Sequence, residues 1–173
     1  MKWKKDYLNE FRPDESGKYS YQGKFYGFAG DEAERKKAYT NLWLLFAAAA
    51  AAALISGSLS GGGITNTFYV IIPYIGEVSA LFALVWNQSK LLKKGGEVRE
   101  YVYNAAHPKI PTAAMLLAFF AIVGGLLSLV FSIASGFQDG VLNAVLYVVL
   151  KAVSAALALF YRKYFSRLEW IKI

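Results

Sequence analysis

Residues 67–86 read TFYVIIPYIGEVSALFALVW, an apolar stretch interrupted by a single charge, Glu77. A helix that crosses a bilayer needs about 20 predominantly apolar residues, each rising 1.5 Å, to traverse a core of about 30 Å. This stretch meets that requirement. The same arithmetic picks out residues 41–60, 112–135 and 141–161. The first of these holds an unbroken alanine run, Ala47 to Ala53, and the last carries one charge, Lys151. None of the four contains arginine. The reading is an all-α integral membrane protein built as a four-transmembrane-helix bundle, with short amphipathic interfacial helices on the cytoplasmic side.

Composition agrees. The chain is 56% hydrophobic and 18% charged, against roughly 45–50% and about 25% for a soluble domain, yet its net charge is +7. Eighteen of the nineteen Lys and Arg residues lie in three segments: 1–40, 88–110 and the tail after Tyr161. The two remaining connections, 57–66 and 136–140, have none. By the positive-inside rule both termini and the middle loop are cytoplasmic. The net charge is therefore topological, and no nucleic-acid partner is implied. The expected localisation is the cell membrane, and the first apolar run starts too late for a cleaved signal peptide. The organisation is a cytoplasmic interfacial segment (1–39), a transmembrane domain (40–161, with cytoplasmic loop 87–111) and a basic tail (162–173).

On the cytoplasmic side, Trp3, Tyr7, Leu8 and Phe11 share one helical arc, which predicts an interfacial helix ended by Pro13. The aromatic, glycine-punctuated stretch 18–28 suggests a small hairpin turning at Gln22-Gly23. Asp31 with Glu34 resembles a capping box opening the first long helix. Gly95-Gly96 should end the second. Val98, Tyr101, Val102 and Ala105 follow a helical period, predicting a second amphipathic helix broken at Pro108 and Pro111, with Pro111 in the first turn of the third span. Asp139 is expected to cap the fourth. These basic segments either only enforce topology and hold the protein at its lipid interface, or also form a docking surface for a partner protein or a specific anionic lipid; their spacing does not choose.

Glu77 and Lys151 carry the functional information. Each lies ten residues into a span running from outside to inside, so both sit about 15 Å deep, near the midplane. A charge there costs about 2.5–3.5 kcal/mol on insertion scales. Equal depth and opposite sign predict a contact between them, direct or bridged by water or tyrosine. Tyr74 and Tyr147 lie one turn outward of the two charges. Pro73 should kink the second span. Gly124 and Gly125 reach the middle of the third span; Gly124, Ser128, Ser132 and Gly136 recur every fourth residue, and Gly57 and Gly61 form GxxxG, patterns that let helices approach closely.

Other chemistries are excluded or weak. The chain has no cysteine and one histidine, His107, so neither a thiol site nor a histidine-rich metal centre is expected. Gly61-Gly62-Gly63 lacks the lysine of a phosphate loop. No Ser/His/Asp constellation exists, and neither enzyme activity nor a cofactor is expected.

The aromatic lead (Tyr19, Tyr21, Gly23, Tyr26), four spans and the middle-loop stretch Arg99-Glu100-Tyr101-Val102-Tyr103 resemble small four-span bacterial membrane proteins of uncharacterised function. That resemblance implies the fold and no particular activity. The chain departs from the small multidrug transporters, whose essential glutamate lies in the first span; here it lies in the second. Two function classes stand: a structural, accessory or complex-forming subunit, as a homo-oligomer or with another membrane protein, and a small transporter or channel using Glu77 and Lys151.

Overall fold

A computed structural model of the chain describes residues 10–13, 17–59, 67–93 and 96–173. Four long helices dominate: α1 (Glu32–Ser58), α2 (Phe68–Leu91), α4 (Lys109–Ala134) and α5 (Val141–Phe165), with a short α3 (Glu100–Ala106) before α4. All four are long and apolar enough to cross a membrane. They extend past the hydropathy spans because helix hydrogen bonding continues after apolarity ends. At the start of α1, for instance, the Glu34 amide donates to the Asp31 carboxylate at 2.7 Å, which caps the helix ten residues before the apolar run.

Around the bundle, α1 packs on α5, α5 on α4, and α4 on α2, while α1 and α2 touch only lightly. Alanines line the seam between α1 and α5: Ala49 and Ala53 of α1 and Ala155 and Ala158 of α5 are all buried in one core cluster. The outward faces are apolar. Phe82 is 69% exposed, Leu126 60% and Phe160 57%. An apolar belt of this extent far exceeds what a soluble monomer leaves open, and hydrocarbon is its physical complement. The four helices thus fit a membrane-spanning protein.

The fold is not all-α. Among the described residues, five short strands lie at the end of the bundle where α1 begins and α5 ends: β1 (Phe11–Pro13), β2 (Tyr19–Tyr21), β3 (Phe25–Phe28), β4 (Glu97–Arg99) and β5 (Trp170–Lys172). The expected interfacial helix is corrected where it is described: residues 1–9 lie outside the described residues, and Phe11 and Pro13 are extended, pairing antiparallel with Tyr21 and Tyr19. Pro13 suits an edge strand, since its fixed φ is compatible with extended backbone and its missing N–H is not needed there. Phe11 packs edge-on against Tyr21, with ring centroids 5.4 Å apart.

The expected hairpin is also revised. β2 and β3 flank Gln22-Gly23 but do not pair with each other; β3 is the centre of a three-stranded antiparallel sheet, β4-β3-β5. Both of its edges are covered, which a two-stranded hairpin could not achieve. Tyr26 stacks on Tyr103 of α3 at 4.1 Å, and Trp170 packs against Tyr103 at 5.7 Å. Lys172 donates to Glu100 at 2.9 Å, and that hydrogen bond holds its ammonium above the ordinary lysine pKa. The sheet joins the N-terminal lead, the middle loop and the tail at one end of the bundle. Truncation after Leu168 is expected to speed amide exchange at Phe25 and Ala29, which lose the carbonyls of Ile173 and Glu169, while leaving the β1–β2 pair protected; exchange measured by mass spectrometry would show this.

Three helix ends differ from the sequence expectation. α2 stops at Leu91, before Gly96, which takes φ +75° in the turn that follows; Gly95 lies outside the described residues. Val98 is a buried strand residue of β4, and α3 begins only at Glu100. Gly140, at φ +87°, rather than Asp139 holds the N-cap position of α5, a backbone conformation that favours glycine. Pro108 separates α3 from α4, and Pro111 lies in the first turn of α4.

Candidate functional site

Glu77 of α2 and Lys151 of α5 meet inside the bundle, 0% and 1% exposed respectively. The Lys151 ammonium donates to Glu77 Oε2. The other carboxylate oxygen, Oε1, accepts from Ser154 Oγ at 2.9 Å. Ser154 stands three residues after Lys151, on the same face of α5, so one helix supplies both donors. Tyr74 and Tyr147 complete the lysine's surroundings, with ring centroids 4.7 and 5.1 Å from Nζ. Aromatic faces stabilise a cation where water is absent. The Tyr147 hydroxyl is buried and has no hydrogen-bond partner.

The glycines explain how the charges meet. α4 packs between α2 and α5. A Cβ at Gly125 would lie 3.2 Å from Lys151 Cβ; one at Gly124 would lie 3.5 Å from Pro73 Cβ and 4.0 Å from Lys151 Cε. Their missing side chains let α4 sit against both neighbours while the longer Glu77 and Lys151 side chains reach across the bundle. Pro73 is buried inside α2, one turn before Glu77. On the far side, Gly57 of α1 abuts the Tyr74 hydroxyl; Gly61 lies outside the described residues. Ser128 and Ser132 are buried and donate to carbonyls of their own helix at 2.9 Å. Gly136 does not belong to that stripe: it lies in the turn after α4 at φ +64°, with nothing near its Cβ position.

Sequence reasoning missed a second link between the same helices. Tyr161 donates to Gln88 Oε1 at 3.0 Å, and both side chains are fully buried. Along α2 and α5, Glu77 to Gln88 and Lys151 to Tyr161 cover nearly equal lengths, as parallel-running helices require. Gln88 was hidden because it falls beyond the apolar window 67–86, in helix that hydropathy does not report. Ser154 had a readable signal, its i+3 spacing from Lys151. His107 caps α3 and lies among aromatic rings, 4.6 Å from Tyr103 and 5.2 Å from Phe165. Among the described residues there is no cluster of three His, Asp or Glu side chains able to hold a metal ion.

Chemically, the cluster is a closed, charge-balanced unit. The carboxylate accepts from the ammonium and from the hydroxyl away from solvent, the two charges cancel, and the arrangement couples the depth of α2 to that of α5. Compared with protein-family models, with curated proteins and with solved structures, the chain matches none.

Proposed function

We propose that this chain is a structural or complex-forming subunit of the cell membrane, a small four-span protein with both termini cytoplasmic, in which the Glu77–Lys151–Ser154 cluster locks the register of the bundle. One observation carries the reading: both charges are out of solvent's reach and partnered with each other. A carrier site has to exchange its ligand with water, and this pair presents neither charge to it. A buried ion pair adds little net stability, because desolvation offsets its Coulomb energy. It does penalise alternatives, since sliding either helix by one turn leaves two bare charges in hydrocarbon. The surrounding lipid, with its anionic headgroups, is the first partner; a second copy or another membrane protein is the partner of assembly.

The test is a cycle of Glu77→Gln, Lys151→Met and the double variant. A lock predicts that each single variant destabilises the protein and that the double recovers most of the loss. Failure of the double to recover would sink the reading.

A second reading, a small transporter or channel using the pair, has one observation in its favour: the unpartnered Tyr147 hydroxyl beside Lys151 leaves a polar group ready for a ligand. Flux measured in proteoliposomes separates the two. The lock predicts no ion or solute flux that depends on Glu77 or Lys151; a flux that disappears in a double variant of normal stability favours the transporter.

Orientation rests on the shared sheet and the positive-inside rule, since β3, β4 and β5 gather all three basic segments at one end. The chain has no cysteine, so single introduced cysteines report topology cleanly. Lys18→Cys and Lys163→Cys are expected to react with an impermeant maleimide only after the membrane is opened, and Gln138→Cys in intact cells. The reverse pattern would invert the proposed topology.

A further inference from the structure

A cavity of about 360 Å³ lies where α2, α3 and α4 meet, at the end of the bundle that carries the sheet. Lys90 in the last turn of α2, Lys93 just past its end and Lys109 at the start of α4 surround it; Val102 and Ala105 of α3 and Trp86 of α2 give it an apolar wall. The lysines are exposed, and among the described residues none of the three is in an ion pair: the pairs recorded join Glu32 to Arg35 and Lys36, Glu77 to Lys151, and Glu100 to Lys172. Lys90 instead rests over the Trp86 ring, 4.4 Å from its centroid.

Three uncompensated ammonium groups around a half-apolar hollow at the edge of a hydrophobic belt call for a ligand that is anionic at one end and apolar at the other. Trp86 is 63% exposed, and Phe82, one turn deeper on α2, is 69% exposed. Together they make an aromatic track from the headgroup level into the hydrocarbon, which a soluble anion would not use. We propose that this cavity is a headgroup site for one anionic glycerophospholipid, its phosphate held by Lys90, Lys93 and Lys109 and its acyl chains lying along Trp86 and Phe82. The site is separate from the intramembrane ion pair and does not depend on the role given to that pair.

The experiment is native mass spectrometry of the full chain released from detergent micelles, titrated separately with dioctanoyl phosphatidylglycerol, dioctanoyl phosphatidylcholine and inorganic phosphate. The expected result is one phosphatidylglycerol retained in preference to phosphatidylcholine, not displaced by inorganic phosphate. The Lys90→Gln/Lys93→Gln/Lys109→Gln variant should weaken that retention by about tenfold or more. A matched variant elsewhere on the same end, Lys37→Gln/Lys163→Gln/Arg167→Gln, should leave it within about twofold. Equal retention of the two lipids, or equal loss in both variants, overturns the proposal in favour of unspecific attraction to a basic face. Displacement of the lipid by phosphate overturns it in favour of a free-anion site. If the triple variant loses its fold, Lys90→Gln and Trp86→Ala alone carry the same test, each expected to weaken retention of phosphatidylglycerol selectively.

Discussion

Lys151→Met is expected to destabilise the folded protein by about 3–5 kcal/mol, the cost of stranding a buried charge whose partner has been removed. Glu77 would keep only the Ser154 hydroxyl as a donor, in a site with 0% solvent exposure. An unbalanced carboxylate is then left inside the bundle. Glu77→Gln should cost less, since the amide oxygen can still accept from Lys151 while its NH2 donates to the Ser154 oxygen, but it leaves an ammonium balanced only by the Tyr74 and Tyr147 rings. The double variant should return to within about 1.5 kcal/mol of the parent, because methionine and glutamine replace the pair at similar volume without net charge. Reversible unfolding in bicelles measures all four corners of the cycle, and the coupling energy is the quantity that matters. Additive single effects would mean that the contact does not hold α2 against α5. The coupling should also resist added salt, as a pair sealed from solvent is screened far less than an exposed one.

Gly125→Leu is expected to cost about 1–3 kcal/mol through overpacking. The reason is geometric: a Cβ at this position lies 3.2 Å from Lys151 Cβ, an atom anchored to the α5 backbone that cannot swing aside. Alanine asks for a shift of only a few tenths of an ångström and should cost about 1 kcal/mol or less. A leucine side chain forces α4 and α5 apart and carries the Lys151 ammonium away from Glu77. The substitution should therefore be less harmful in the Glu77→Gln/Lys151→Met background, where no charge is stranded by the shift. The same unfolding assay checks this. Equal cost in both backgrounds would separate the glycine from the ion pair and leave it with a packing role only.

Much of this architecture was readable in single stretches of chain. The four apolar runs, the Asp31 cap and the equal depth of Glu77 and Lys151 all follow from windows shorter than one span, because hydropathy, helical rise and capping are local properties. Windows failed where the physics is not local. The β-strand character of residues 25–28 is visible in their aromatics, but their partners are residues 97–99 and 170–172, far along the chain. Phe11 and Pro13 looked like the end of a helix because the arc of Trp3 and Tyr7 continued through them; pairing with Tyr19–Tyr21 overrode that period. Gln88 stayed hidden since hydropathy stops two residues earlier while α2 continues to Leu91.

Sequence alone determined that the chain holds four runs long and apolar enough to cross a bilayer, which segments carry the basic residues, and that two opposite charges lie equally far along their runs. Those follow from summing transfer preferences and counting 1.5 Å steps along each helix. Only the tertiary structure decided that α1 lies against α5 and only lightly against its sequence neighbour α2, that Ser154 completes the carboxylate's hydrogen bonds, and that three distant segments make one sheet. Neighbours across a bundle are selected by how side-chain volumes and hydrogen-bonding groups fit between helices, as at Gly124 and Gly125. That fit is a relation between residues far apart in the chain, and no stretch of sequence contains both of its halves.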